Sequence, residues 1–152
     1  MKWFKVMLTV CFSFLAVAGY SQMTMDKSAW TFEAKKKSGN QYELITHLKL
    51  EKGWHIYAMK PGGDGTLIAP SITYNANPAV KLTGTVKEKG KLISQNLEGI
   101  KGKVNMYSGT VDYVQTATIT GPTTITGSYE YQICNDMMCL PPTTKQFKVA
   151  VK

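Results

Sequence analysis

Between residues 42 and 50 the chain alternates strictly. Tyr42, Leu44, Thr46, Leu48 and Leu50 occupy one phase, and Glu43, Ile45, His47 and Lys49 the other. A period of two with one mainly apolar face predicts a half-buried strand. Lys52-Gly53 predicts a turn, and Trp54-His55-Ile56-Tyr57 opens the next strand. Further strands are predicted at Ser71–Tyr74, Val80–Lys87, Val104–Tyr107, Val111–Thr120, Thr124–Ile133 and Gln146–Val151. Asn77-Pro78, Lys89-Gly90 and Gly121-Pro122 carry turn chemistry between them, and Pro61-Gly62-Gly63-Asp64-Gly65 reads as the most flexible loop. Lys35-Lys36-Lys37 reads as a solvated hairpin tip ahead of Ser38-Gly39-Asn40. No window after the leader holds a helical period, and no repeat or low-complexity tract is found. Seven to nine short strands at this spacing predict an all-β, immunoglobulin-like β-sandwich.

The chain's 152 residues make about one domain. Lys2 and Lys5, an apolar run from Val6 to Ala18 and the small residues that follow read as a secretory signal peptide, residues 1–21, too short to span a membrane. Val10 precedes Cys11, which rules against a lipoprotein box. The domain then comprises residues 22–152, which is 131 residues with 16 lysines against 10 acids. No later segment approaches a membrane helix, so a soluble, exported, periplasmic domain is expected, in a compartment where disulfides form. The excess of lysine does not point to nucleic acid. There is no arginine to make the bidentate phosphate and guanine contacts such proteins favour. With two histidines, a metal enzyme built on a histidine cluster is excluded as well.

Both cysteines of the exported domain lie in Tyr131-Gln132-Ile133-Cys134-Asn135-Asp136-Met137-Met138-Cys139-Leu140-Pro141-Pro142. In a regular pleat Ile125, Gly127, Tyr129, Tyr131 and Ile133 share one phase and Cys134 falls in the other, which predicts an accessible sulfur. A bridge across four intervening residues closes a small loop and stabilises by only about 2–3 kcal/mol in the chain-entropy model. Such a bridge at a surface turn serves either as a local staple or as a redox pair open to an attacking thiolate. Two other readings stand beside exchange chemistry. One is a non-catalytic immunoglobulin-like binding module with a structural disulfide. The other is a Cu(I) module using Cys134, Met137, Met138 and Cys139, with Met59, Met106 and His55 elsewhere. No histidine follows Cys139, as a cupredoxin would require.

The run Cys134-Asn135-Asp136 to Cys139-Leu140-Pro141-Pro142-Thr143, with the upstream Trp54-His55-Ile56-Tyr57 and a last strand after the prolines, resembles the N-terminal periplasmic domain of the disulfide reductase DsbD. The resemblance runs from about Trp30 to Val151. It implies an immunoglobulin-like sandwich that takes electrons from a membrane-embedded donor and passes them to exported thioredoxin-like proteins. Those recipients include a disulfide isomerase and a thioredoxin of cytochrome c maturation. It implies no metal and no organic cofactor, and a monomer. Cys139 would be the attacking sulfur and Cys134 the resolving one. The family's cap loop would fall near Gln95–Lys103, with Ile100 where the family has a shielding aromatic and Glu98 where it has an acidic residue. Tyr57 would pack against the bridge. The spacing of the cysteines is one residue shorter than in the enterobacterial form. As the chain ends at Lys152, the electrons are expected to come from another protein.

Overall fold

A computed structural model describes residues 26–152, so the expected leader, residues 1–21, lies outside the described residues. Nine antiparallel strands follow one another: β1 (Ser28–Ser38), β2 (Gln41–Leu50), β3 (His55–Gly62), β4 (Ser71–Tyr74), β5 (Val80–Asn96), β6 (Lys103–Ile119), β7 (Thr123–Tyr131), β8 (Ile133–Cys134) and β9 (Thr143–Val151). One sheet has the order β1-β2-β6-β3-β8 with β5 also on β6, and the other is β4-β7-β9. The fold is the expected all-β sandwich. β1 lies outside the expected strands, although Trp30, Phe32 and Ala34 alternate with Thr31 and Glu33 as the residues of β2 do. The lysine run does sit at the β1–β2 hairpin, before Gly39 in its left-handed conformation (φ 52°).

The apolar phase of β2 is buried, with Leu48 1% and Leu44 3% exposed. It faces the second sheet through a layer of aromatic rings. Trp30 lies 4.8 Å from both Tyr129 and Tyr131, and Phe32 stacks on Phe147 at 4.6 Å. Fully burying side chains such as Ile56, Ile125 and Ile133 contributes about 1.5–3 kcal/mol each, and this core holds the sheets face to face.

Two corrections concern β5 and β6. Val104–Tyr107 and Val111–Thr120, expected as separate strands, are continuous in β6, and β5 runs past its expected end at Lys87, so that Lys89-Gly90, expected as a turn, lies inside it. β5 pairs with one edge of β6 from end to end. On the other edge β3 pairs with Val104–Ser108 and β2 with Thr110–Thr118. Gly109 stands where β6 changes partner, and its φ of 77° supplies a kink that a side chain would resist. Opposite this kink, β5 shifts register between Gly90 and Leu92. A Cβ on Gly90 would come within 3.1 Å of the Thr110 carbonyl and 3.2 Å of the Tyr107 ring, a tight fit that would require those neighbours to give way by a few tenths of an ångström. The loop expected to be freest is also held. Gly62 pairs with Val104, and the Gly63 N–H donates to the Lys103 carbonyl at 3.1 Å.

The first sheet also has an apolar outer face. Tyr57, Val104, Met106 and Cys134 form a buried cluster there, covered by Leu67, Ile93, Leu97 and Ile100. Ile56-Tyr57-Ala58 is accordingly buried on both sides of the pleat.

Candidate functional site

The two cysteines close the base of a tight hairpin. β7 ends at Tyr131, and after Gln132 the chain leaves the second sheet to pair with β3 on the first, Ile133 opposite Ile56 and Cys134 opposite His55. Asn135 shapes the reversal. Its Oδ1 accepts the N–H groups of Met137 (2.9 Å) and Met138 (2.8 Å), as an Asx turn does, and its own N–H donates to the Met138 carbonyl at 2.8 Å. The Leu140 N–H donates to the Ile133 carbonyl at 2.9 Å, and the Gln132 side chain donates to the Leu140 carbonyl at 3.0 Å. Cys134 and Cys139 thereby become an antiparallel pair with Cα atoms 3.9 Å apart, and their sulfurs are bonded. Pro141-Pro142 cannot extend the ladder, and the chain passes into β9.

The two ends of the bridge have different surroundings. Cys139 is exposed, whereas Cys134 is only 2% exposed. The accessible sulfur expected at Cys134 is therefore corrected. Ile133 is in the main core and Cys134 in the outer cluster, but that outer face is roofed by the β5–β6 end instead of open to water.

An open cleft runs between the hairpin and that roof. It is lined by both cysteines, His55 and Tyr57 of β3, Gln95, Leu97 and Glu98 of the β5–β6 end, and the hairpin tip. Tyr57 and Glu98, singled out from the sequence, thus share one cleft with the bridge. Ile100 does not line it. Ile100 packs at the far side of the roof, 3.0 Å from where a Cβ on Gly63 would be, and Leu97 is the apolar roof residue that reaches the cleft. The tip itself is apolar, with Met137 89% and Met138 52% exposed. Among the described residues no three His, Cys, Asp or Glu side chains gather as a metal site.

His55, Leu97 and Asp136 belong to the cleft as well. Leu97 and Asp136 drew no individual role from the sequence, and His55 only that of a distant ligand in the Cu(I) reading. The His55 ring meets the Tyr57 ring edge-on at 5.6 Å, and its Nε2 is buried without a hydrogen-bond partner. Burial lowers the His55 pKa, and the Asp136 charge opposes that only in part. Burial likewise raises the Tyr57 hydroxyl above the usual tyrosine value. The imidazole is thereby favoured in its neutral form near pH 7. Chemically, a disulfide with one exposed end can be opened by an incoming thiolate at Cys139, the Cys134 sulfur leaving into the cleft.

Comparison with known proteins gives the family and the fold. The family model described as thiol:disulfide interchange protein DsbD, N-terminal, matches residues 21–151. Among solved structures, the N-terminal periplasmic domain of ScsB from Proteus mirabilis is similar at a TM-score of 0.57 and 17% identity, over 81% of this chain and 46% of that one. This chain thus spans less than half of that relative. The reduced DsbD N-terminal domain of Neisseria meningitidis has a TM-score of 0.55 and 12% identity, over 81% of this chain and 86% of that one. A chain from the complex between the DsbD and PilB N-terminal domains of the same organism has a TM-score of 0.50 and 12% identity, covering 79% and 81%. At these identities the structures speak for the fold. No curated protein matches the sequence.

Proposed function

The chain belongs to the family of DsbD N-terminal domains, and on that premise we propose that it is a periplasmic relay for reducing equivalents working through Cys134 and Cys139. The observation that carries the reading is the asymmetry of the bridge, one residue exposed at a hairpin and the other buried under a roof. Exchange needs one sulfur that a partner can reach and a second that reacts only within the domain. Cys139 then attacks the partner's disulfide and forms the mixed disulfide. Cys134 attacks Cys139, restores the internal bridge and releases the partner reduced. Leu97, with Tyr57 and Glu98 beside it, screens the pair from stray thiols. The recipients are exported thioredoxin-like proteins, and the electrons come from a membrane-embedded donor.

Trapping with a thioredoxin-like disulfide tests the roles. Cys139→Ser abolishes the mixed disulfide, and Cys134→Ser lets it accumulate; equal trapping by both variants would reverse or cancel the assignment. Equilibration in glutathione buffers tests the relay itself. A potential between about −180 and −270 mV lies among exchange proteins, whereas one below roughly −300 mV marks a structural staple and overturns the reading.

A further inference from the structure

Resolution of a mixed disulfide requires Cys134 as a thiolate, yet Cys134 is 2% exposed and sits among Tyr57, Val104 and Met106. A thiol in apolar surroundings ionises reluctantly, so the step needs a base at hand. His55 is the register partner of Cys134 across β3 and β8. Residues directly opposite one another on antiparallel strands project to the same face with Cβ atoms roughly 4.5–5.5 Å apart. The two side chains therefore leave the ladder on the same face and line one cleft, and the His55 Nε2 is buried with nothing to bond to. A buried polar atom left unpartnered is costly. A free acceptor beside a disulfide is explained if its donor exists only in the other redox state, as the S–H of reduced Cys134.

Resting on the relay reading above, we propose that His55 is the proton acceptor for Cys134 in the resolving step. As the Cys134 sulfur attacks the Cys139 sulfur, its proton passes to His55 Nε2. The bond between Cys139 and the partner breaks, and the partner's sulfur leaves as a thiolate with the electron pair. The imidazolium then returns its proton to that thiolate or to water. The domain goes from dithiol to disulfide and the partner from disulfide to dithiol, two electrons and two protons in all, the other proton coming from Cys139. Besides the two cysteines, three titratable groups share the cleft with His55: Tyr57 on its own strand, Asp136 from the hairpin tip and Glu98 from the roof. Its register partner on β6, Ser108, carries no charge. Burial holds the imidazole neutral at pH 7, as a base must be.

The test uses the reduced protein and excess dithiobis(nitrobenzoate), whose two colour releases report the two steps separately. Attack by Cys139 frees the first nitrothiolate, and attack by Cys134 on the resulting mixed disulfide frees the second. In His55→Gln the first release stays within about twofold, while the second slows on the order of 100-fold at pH 7. The wild-type protein gives an arm that needs no variant. Its second release should rise with pH to a plateau whose midpoint lies below the ordinary histidine value of about 6.5. An unchanged second release in His55→Gln overturns the proposal. So does a wild-type rate that climbs without a plateau into the range of thiol ionisation. A reduction potential typical of structural disulfides would instead overturn the relay reading, and it leaves both arms readable because the reagent supplies the oxidant.

Discussion

Glu88 shows how one side chain can make stability depend on pH. It stands opposite Tyr113 in the β5–β6 ladder, accepts the Met59 N–H at 2.8 Å, and has no salt bridge among the described residues. Burial raises its pKa above the usual glutamate range, and the Met59 hydrogen bond offsets this only in part. A carboxyl whose pKa is raised on folding contributes most below its unfolded pKa, and that contribution is lost as pH rises through the folded value. Glu88→Gln keeps an acceptor for Met59 and removes the charge. The variant should therefore be more stable than the wild type at pH 7.5, by a margin that closes near pH 4. Urea unfolding at the two pH values checks this, and an equal margin at both would show that ionisation is not the cause. The cleft is only partly legible in the sequence. The cysteines, Tyr57 and Glu98 could be placed from local pattern and family resemblance. The position of His55 beside Cys134 depends on a two-residue strand whose register follows a break at Gln132.

Strands whose two faces differ were readable, and strands that bend were not. The alternation at 42–50 gives β2 nearly to its ends, and the phase Ile125, Gly127, Tyr129, Tyr131 is the buried phase of β7. The pattern ends β5 early, at Lys87, and splits β6 in two, because glycine in a strand looks like a turn when the partner strand is unknown. Gly127 shows the opposite use of the residue, close approach instead of bending. It pairs with Tyr74 on one side and Phe147 on the other. An added Cβ would strike the Thr73 carbonyl oxygen and come within 2.6 Å of the Phe147 ring, which is stacked on Phe32 at 4.6 Å. Gly127→Ala must push β4 away or unstack the rings. Overpacking of this kind costs about 1–3 kcal/mol. The urea midpoint should fall with the slope unchanged, since the surface exposed on unfolding stays the same. A midpoint that stays put would mean the second sheet is looser than its contacts imply.

At the scale of the whole molecule, the fold and the bridge are largely separate. The two clusters that join the sheets contain neither cysteine, and Cys134 belongs only to the smaller cluster on the outer face. A sandwich held by its own core can open and close a disulfide without unfolding, which a relay requires and a staple does not. Breaking a bridge that closes so short a loop removes about 2 kcal/mol in the chain-entropy model. For a domain of this size that is a fall in Tm on the order of 6–10 °C, with the transition still cooperative. Trp30 reaches across the sheets to Tyr129 and Tyr131 at 4.8 Å each and stacks over Tyr113 at 6.0 Å. Trp30→Ala should cost more than reduction does, about 3 kcal/mol or above, although the residue is far from the sulfurs in sequence. Calorimetry of oxidised, reduced and Trp30→Ala protein compares the effects directly. If reduction cost more than the tryptophan, or abolished the cooperative transition, the bridge would be holding the sandwich together, and a domain that unfolds when it accepts electrons could not pass them on.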